Sequence, residues 1–408
     1  MNSKKTNKLV LFGAGKIGRS FIGQLFSCGG FEVVFIDINE QMINELNRRT
    51  NYNVIIRGEK EEHINVRNVR GVNARDEQTV VDEIASAEIL AVSIGQNGLP
   101  GIIPLLAKGL LKRYSEDPKQ ALDIIIAENL RNAADYFRSE LIKLLPENYP
   151  FEQLVGLIET SIGKMVPIMS NKDVEEDVLQ VFAESYNILI LDKKAFRNPI
   201  PQIAGLSPKE NIKAWVDRKL FIHNLGHATA AYLGYICNPN FKYLYEALEV
   251  PEIFIAVRET MLQAATILHK KYPADFTLEA LTDHVDDLLF RFKNRSLGDT
   301  IFRVGCDLTR KLGSKDRLAG AIHLALEVKL PYDRILFSLI CGCYFRATDE
   351  NGQMLPGDIE FARILNLGLT EVLTNICWID EIKDNLLKVI KRYEGEMFST
   401  QKLLSEVV

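Results

Sequence analysis

The sequence predicts an α/β domain with a doubly wound parallel sheet, followed by a second domain that is mostly α-helical. Apolar runs of strand length alternate with helical segments in the first half, and helical periodicity dominates the second half. At 408 residues the chain is too long for one ordinary core, so two domains are expected. Prolines and a glycine interrupt the pattern at 197–212, and we therefore assign the domains to 1–200 and 201–408.

Four near-continuous apolar runs predict strands that are buried on both faces, as in a parallel sheet. These runs are KLVLFGAG (8–15), FEVVFID (31–37), EILAVSIG (88–95) and LDIIIAEN (122–129). Helical patterns such as GRSFIGQLFSCG and EQTVVDEIASA lie between them. The stretch YNVIIRGEKEEHINVRNV (52–69) alternates differently and predicts an antiparallel β insertion.

Composition excludes several classes of partner. The formal net charge is −5 without a long basic block, so nucleic acid and anionic membranes are poor candidates, although a local basic pocket for a small anion stays open. No apolar run is long enough to span a membrane, and no signal-peptide core follows the N-terminus. Six scattered cysteines without a CxxC pair indicate reduced thiols. We expect a cytoplasmic protein without a metal site, and a monomer rather than an oligomer because no heptad pattern is present.

A glycine turn joins the first predicted strand to the first helix: Gly13-Ala14-Gly15-Lys16-Ile17-Gly18. In a dinucleotide site the first glycine makes the tight turn, the second admits the pyrophosphate, and the third lets helix and strand pack closely. The free N–H groups at the helix N-terminus then bind the anion. The alternative is a glycine turn in a domain that binds no nucleotide.

An acidic residue ends the second strand at the spacing that this kind of site requires. Asp37 lies 19 residues after Gly18, where a carboxylate binds ribose hydroxyls and repels a 2′-phosphate, so the sequence predicts NAD rather than NADP as cofactor. We also assign Ile94 and Gly95, at the end of the third apolar run, to the cofactor site.

The segment RKLFIHNLGHATAAYLG (218–234) is apolar but carries Lys219, Asn224 and His227. On a regular helix these three residues share one side. The simplest explanation is a surface lysine, a capping asparagine and a buried histidine. Metal-free alcohol oxidation, however, requires these same groups: a base for the hydroxyl proton and donors for the oxygen. A lysine serves as base when desolvation lowers its pKa towards about 7 or 8.

The spacing poses one geometric difficulty for this hypothesis. Lys219 and His227 are separated by about 12 Å along an ideal helix axis. Both side chains reach one substrate oxygen only if the lysine stem leans along the helix or if the helix begins irregularly.

The pattern Lys219-x4-Asn224-x2-His227 resembles the signature of the polyol-specific long-chain dehydrogenase/reductase family. The segments FGAGKIGRSFIGQLF, DRKLFIHNLGHATAAYLG and RKLGSKDRL (310–318) resemble family segments in the same order over nearly the whole chain. The resemblance implies a Rossmann-type first domain, a helical second domain and metal-independent, NAD-dependent interconversion of a polyol phosphate and a ketose phosphate. D-mannitol 1-phosphate and D-fructose 6-phosphate are the expected pair.

The resemblance also implies a role for each site residue. Lys219 would be the general base, Asn224 an oxyanion donor and His227 a positioning group. Asn129 matches a second oxyanion donor, although the sequence is equally compatible with a helix N-cap at this position. Arg303 and Lys311 match substrate-contacting positions, and Arg310 is a further candidate for a phosphate. A solvated helix face is the alternative for these three basic residues.

Two positions depart from the family pattern. Gly163-Lys164 stands where relatives usually have an aspartate-arginine pair, and a lysine does not replace the guanidinium fork. Arg295 stands where relatives tend to have proline. Both changes bear on substrate recognition. A sugar-acid reductase of the tagaturonate or fructuronate type, and a non-catalytic NAD-binding sensor, therefore stay open as alternatives.

Overall fold

The protein is described from a computed structural model that covers residues 7–58, 60–169 and 171–379. The chain forms two compact units that divide between Trp215 and Val216. Residues 380–408, which we assigned to the second domain, lie outside the described residues.

The first unit is built on two sheets. Its described strands are β1 (Lys8–Phe12), β2 (Glu32–Asp37), β3 (Asn51–Ile56), β4 (Glu62–Arg67), β5 (Val69–Asn73), β6 (Ile89–Val92), β7 (Leu122–Ile126), β8 (Val155–Ser161), β9 (Val181–Ala183), β10 (Leu189–Asp192) and β11 (Leu206–Lys209). The large sheet has the order β11-β10-β8-β7-β6-β1-β2-β5. Its neighbouring strands are parallel except for the pair of β8 and β10.

The strand order confirms the doubly wound fold. From β1 the chain builds outward through β2 to β5, and it then returns to the other side of β1 with β6, β7 and β8. The direction of building thus reverses between β1 and β6. In open α/β sheets, ligands bind outside the carboxyl ends of the strands at this switch point.

Burial on both faces explains why the strand sequences are apolar throughout. Leu9 and Leu11 of β1 belong to one buried cluster, whereas Val10 and Phe12 belong to a second cluster on the other face. Successive side chains of a strand point to opposite faces, so an alternating polar face is absent where helices cover both sides. The four predicted strands are therefore confirmed, each one to four residues shorter than its apolar run.

The small sheet has the order β4-β3-β9. Strands β3 and β4 pair antiparallel, which confirms the predicted β insertion. Strand β9 joins in parallel, a pairing that no local pattern indicated. The segment at 197–212, which we interpreted only as a boundary, supplies β11 with Pro208. Proline is tolerated there because β11 is an edge strand.

Helices cover the sheet and form the second unit. The described helices are α1 (Gln24–Cys28), α2 (Glu40–Arg49), α3 (Glu77–Ser86), α4 (Leu99–Glu116), α5 (Ala133–Ile142), α6 (Phe151–Leu154), α7 (Asn171–Glu176), α8 (Ile212–Arg218), α9 (Leu225–Cys237), α10 (Leu244–Glu249), α11 (Pro251–Lys271), α12 (Leu278–Phe292), α13 (Ile301–Gly305), α14 (Leu308–Lys311), α15 (Ala319–Val328), α16 (Asp333–Cys343), α17 (Pro356–Leu365) and α18 (Leu369–Asn375). The predicted helical second domain is confirmed. Within the described ranges, no helix is both long and apolar enough to cross a membrane.

Two helices begin with a π-helical turn. Gly18–Gly23 leads into α1, and Lys219–Asn224 leads into α9. In the second turn the N–H of Leu225 donates to the carbonyl of Leu220, five residues earlier. The assumption of a regular helix over 218–234 was therefore wrong. π turns are rare and occur frequently at functional sites.

Candidate active site

The glycine turn has the geometry that each of its three glycines predicts. Gly13 has φ +96°, and a Cβ there would lie 2.1 Å from the carbonyl oxygen of Ser93. A Cβ on Gly18 would lie 2.1 Å from the carbonyl oxygen of Gly13, so this contact between helix and strand requires glycine. Beside Gly15, in contrast, no atom of the described residues lies within 4 Å of a built Cβ. The turn therefore packs tightly against the rest of the protein at Gly13 and Gly18, and it leaves space beside Gly15.

The backbone around this turn is held by Asp37. Ala14 N–H donates to Asp37 Oδ2 at 2.8 Å, and the other carboxylate oxygen accepts from the N–H of Asn39 at 2.9 Å. Lys16 is exposed and Ile17 is partly exposed at the start of the helix. Backbone donors, an open side and a carboxylate thus lie together at one edge of the sheet, and these are the kinds of groups that bind the phosphate and ribose parts of a dinucleotide.

The loop after β6 is fixed by a carboxylate that the sequence analysis did not single out. Glu128 Oε1 accepts hydrogen bonds from the N–H groups of Ile94 at 2.7 Å and Gly95 at 2.9 Å. Burial raises the pKa of the Glu128 carboxyl, and the two N–H donors partly oppose that shift. The sequence did contain a signal, because Glu128 is an acidic residue two positions after the end of a buried apolar strand.

Asn129 follows Glu128 at the same edge of the sheet. Asn129 is exposed, and its backbone carbonyl oxygen accepts a hydrogen bond from Gln96 Nε2 at 2.7 Å. The N-cap of α5 is Asn132, so the N-cap alternative for Asn129 is wrong. The predicted role as an oxyanion donor stays a prediction.

The three polar residues of the second unit lie on the irregular start of α9. Lys219 and Asn224 begin and end the π turn, and His227 lies in the first turn of α9. An i→i+5 turn winds less per residue than an α turn, which brings residues five apart closer to the same side. The helix therefore begins irregularly, which is one of the two conditions that the spacing required.

The surroundings of Lys219 lower the pKa of its ammonium group. The side chain is only partly accessible, and the surrounding protein desolvates its ammonium group. This burial, together with the nearby Arg317 guanidinium, lowers the pKa of Lys219 to about 8, whereas the Asp316 carboxylate acts in the opposite direction. A lysine with such a pKa has an appreciable neutral fraction near physiological pH.

His227 is held on two sides. Its ring stacks on Phe292 with a centroid distance of 4.8 Å and an interplanar angle of 19°. Its Nε2 lies 2.9 Å from Oδ2 of the buried Asp299. Burial lowers the pKa of His227 well below its usual value, and the cations Arg303 and Arg317 add to that shift. This lowering of the pKa favours the neutral form of the ring.

The predicted substrate-binding cations are near this histidine, but each has protein partners. Arg303 Nη2 pairs with Asp299 Oδ1. Lys311 is buried, and its ammonium donates to the carbonyl oxygens of Val304 at 2.8 Å and Arg303 at 3.3 Å. Burial and Arg317 lower the pKa of Lys311 to about 8. Arg310 is half-exposed and pairs with Asp307 at 2.5 Å, which fits a solvated face better than a phosphate ligand.

Sequence reasoning missed two further buried arginines. Arg317 lies within the quoted segment RKLGSKDRL, and its Nε donates to Asp316 Oδ1 at 2.8 Å. Arg291 is buried in the last turn of α12 and pairs with Asp287 at 3.3 Å. Both positive charges act on His227. A basic residue inside an apolar helical pattern was the available signal for Arg291.

The two departures from the family pattern have different environments. Lys164 is buried within the first unit, where its ammonium donates to Asn187 Oδ1 at 2.9 Å and lies 5.2 Å from the ring centre of Phe21. Arg295 is exposed and pairs with Glu249 at 2.6 Å. Arg295 is thus a surface residue, and an exposed pair of this kind contributes little to stability.

The sheet order and the glycine turn are those of a dinucleotide-binding domain, and the same chain adds a second, helical unit. Two family models match the chain: the mannitol dehydrogenase Rossmann domain over residues 7–205 and the mannitol dehydrogenase C-terminal domain over residues 211–404. The chain belongs to this family, which is one of NAD-dependent polyol dehydrogenases. The predicted family and, at the level of the family, the predicted cofactor are confirmed.

Solved structures support the same fold. Mannitol 2-dehydrogenase of Pseudomonas fluorescens, in a ternary complex with NAD and D-mannitol, matches with a TM-score of 0.71 and 15% identity, over 99% of this chain and 95% of that chain. A D-sorbitol dehydrogenase in substrate-free form matches with a TM-score of 0.70 and 16% identity, over 87% of this chain and 85% of that chain.

Proposed function

We propose that the protein is an NAD-dependent dehydrogenase that interconverts D-mannitol 1-phosphate and D-fructose 6-phosphate, as a mannitol-1-phosphate 5-dehydrogenase does. Family membership supports oxidation of a CH–OH group. The residues of this chain supply the general base, the oxygen donors and the positive charge that such a substrate requires.

The proposed chemistry depends on Lys219, Asn224 and His227. Neutral Lys219 accepts the hydroxyl proton of the polyol as the C–H bond breaks, and its pKa of about 8 matches this task. The Asn224 amide donates to the oxygen as it gains negative charge. Asn129 of the first unit is proposed as the second donor. His227 orients the substrate hydroxyl groups.

The glycine turn and Asp37 are proposed to hold the cofactor. Gly15 leaves an open side where the pyrophosphate would bind, and the Asp37 carboxylate would accept hydrogen bonds from the ribose hydroxyls of NAD. When bound, NAD accepts the hydride that leaves the carbinol carbon. No metal ion is required, because a lysine removes the proton and asparagine amides stabilise the oxygen.

The observation that favours a phosphorylated substrate over a neutral polyol is the excess of positive charge around His227. Four cations, Arg291, Arg303, Lys311 and Arg317, all lower the pKa of His227. Three carboxylates, Asp287, Asp299 and Asp316, pair with members of this group. Their count is smaller than that of the cations, and a substrate dianion balances the difference better than a neutral polyol does.

A substrate panel tests this choice. We expect purified protein to oxidise NADH with fructose 6-phosphate far faster than with fructose, tagaturonate or fructuronate. Activity on a sugar acid instead would assign the positive charge to a carboxylate and the protein to a sugar-acid reductase. Activity on fructose alone would place it with the unphosphorylated polyol dehydrogenases. Tight NADH binding without any turnover would indicate a sensor.

The role of Lys219 has its own test. Lys219→Ala should lose turnover by orders of magnitude while the Kd for NADH stays within about two-fold, because the lysine lies in the other unit from the glycine turn. Lys213→Ala, at an exposed position on α8, is the matched control and should keep full activity. If Lys219→Ala retains turnover, the lysine is not the base.

A further inference from the structure

Asp299 bridges two residues of the proposed site. One carboxylate oxygen, Oδ2, lies 2.9 Å from His227 Nε2, and the other, Oδ1, pairs with Arg303 Nη2. The Asp299 side chain is only 5% exposed, whereas the Arg303 side chain is 51% exposed. A buried carboxylate with two different cationic or N–H partners is oriented by both of them.

The backbone around Asp299 is fixed before any ligand binds. Its carbonyl oxygen accepts from the N–H of Leu244 at 2.9 Å, and the N–H of Ile301 donates to the carbonyl of Lys242 at 2.9 Å. Thr300 caps α13 by accepting from the N–H of Arg303 at 3.1 Å. These bonds fix the backbone on both sides of Asp299, which lies in the loop before α13.

The pairing with Asp299 selects one tautomer of His227. A neutral imidazole carries one proton, and a carboxylate can only accept, so the proton lies on Nε2. The other ring nitrogen, Nδ1, then has a free lone pair and cannot donate. Stacking on Phe292 fixes the plane of the ring, and Asp299 fixes its rotation within that plane.

We propose that Asp299 is a positioning residue, which holds His227 as the Nε2–H tautomer so that Nδ1 accepts a hydrogen bond from a substrate hydroxyl. This inference rests on the proposed function of the site. An acceptor at Nδ1 cannot stabilise the developing oxyanion. That task is left to the proposed donors Asn224 and Asn129 and to Lys219 once it is protonated, while His227 recognises a hydroxyl donor of the polyol.

The bridge makes Asp299→Asn an informative variant. Arg303 has only donors, so it retains the amide oxygen of the new residue. The amide NH₂ group then faces His227 Nε2 and requires a lone pair there, which moves the ring proton to Nδ1. The substitution is isosteric, yet it reverses the hydrogen-bonding character of His227. The same exchange in a Ser-His-Asp triad keeps the geometry and imposes the wrong tautomer.

Nitrogen NMR of ¹⁵N-histidine-labelled enzyme tests the tautomer without substrate. The chain has six histidines, and the His227 signals are those lost in His227→Gln. We expect a protonated Nε2 and a bare Nδ1 in the wild type, and the reverse in Asp299→Asn. A wild-type ring with its proton on Nδ1 overturns the proposal, whether or not any substrate is turned over.

Kinetics supply the second readout. Asp299→Asn should lower kcat/KM by 100-fold or more and leave the Kd for NADH within two-fold. Asp286→Asn is the matched control. Asp286 also accepts from an arginine, because its two oxygens lie 2.7 and 2.9 Å from donors of Arg258, but this pair lies on the surface. Asp286→Asn should change neither the tautomer nor the rate.

A double-mutant cycle distinguishes positioning from an independent structural role. If Asp299 acts through His227, then Asp299→Asn should cost little further activity in a His227→Ala background. Additive losses would contradict the proposal. If the wild type turns over no polyol phosphate, the proposed function fails, and the NMR experiment still decides the tautomer.

Discussion

The carboxylate of Asp37 accepts a hydrogen bond from the backbone N–H of Ala14, with 2.8 Å between the nitrogen and Oδ2. This bond ties the end of β2 to the glycine turn after β1. The N–H of Asn39 holds the second oxygen, so the direction of the carboxylate is fixed by the backbone on both sides. A negative charge therefore has a defined place beside the turn.

Neutralising this charge should change the choice of cofactor. In Asp37→Asn the repulsion of a 2′-phosphate is lost, and we expect the kcat/KM ratio of NAD over NADP to fall by at least ten-fold. Glu40→Gln removes the same charge from the exposed start of α2 and serves as the control. Equal changes in both variants would show that the effect is only one of overall charge.

The second and third glycines of the turn should fail in different ways. Gly15→Ala adds a methyl group into open space, so the protein should keep its Tm while the Kd for NADH rises by ten-fold or more. Gly18→Ala places the methyl group 2.1 Å from a carbonyl oxygen and should lower the Tm. Calorimetry and NADH titration of both variants measure this difference. A Gly15→Ala variant with unchanged affinity would contradict the proposed pyrophosphate position.

Polyol oxidation should require Lys219 in its neutral form. Its pKa is lowered to about 8 by burial and Arg317, so kcat/KM should rise as the pH passes through about 8 and level off above it. Ketose reduction needs the protonated lysine and should fall over the same range. Lys311 also has a pKa near 8, so the profile is repeated in Lys311→Met, where the midpoint should persist.

Arg317 gives this profile a further test. Removing its positive charge in Arg317→Met should raise the pKa of Lys219 towards the ordinary lysine value and move the midpoint of oxidation to higher pH. Arg334→Met, which removes an exposed arginine from α16, is the control and should leave the midpoint in place. A midpoint that moves to lower pH in Arg317→Met would refute the assignment.

The loop after β6 should depend on Glu128. Glu128→Ala removes the acceptor for the N–H groups of Ile94 and Gly95, and we expect weaker NADH binding by about ten-fold because two donors lose their partner. Hydrogen exchange should accelerate at these two amides. Glu62→Ala, on the exposed strand β4, is the control. Unchanged exchange would mean that other contacts order the loop.

Local patterns predicted most of the fold. The strands that contribute to the glycine turn and to Asp37 are buried on both faces, so each was visible as a single apolar run. The pairing of β9 with β3 was not visible, because more than a hundred residues separate the two strands and each is short. Edge strand β11 was hidden by Pro208, which a central strand would not tolerate.

The polar residues of the candidate site could also be identified from the sequence, but the residues that contact them could not. Lys219, Asn224 and His227 are polar residues in an apolar segment, and this contrast is a local signal. Asp299 lies 72 residues beyond His227, and its sequence neighbours give no sign of the contact. Arg317 lowers the pKa of Lys219 from nearly a hundred residues away. Tertiary contacts of this kind decide protonation, and one sequence alone does not contain them.

The π turn at Lys219–Asn224 sets the angle about the helix axis between the proposed base and the proposed oxygen donor. A π turn is closed by a hydrogen bond between residues five apart, whereas an α turn is closed by one between residues four apart, and Lys219 and Asn224 are themselves five residues apart. Deleting a single residue between Lys219 and Asn224 would keep all three proposed site residues but change the angle of Lys219 relative to Asn224 and His227 about the helix axis. If the proposed function is right, the number of residues in this turn therefore matters as much as their chemistry.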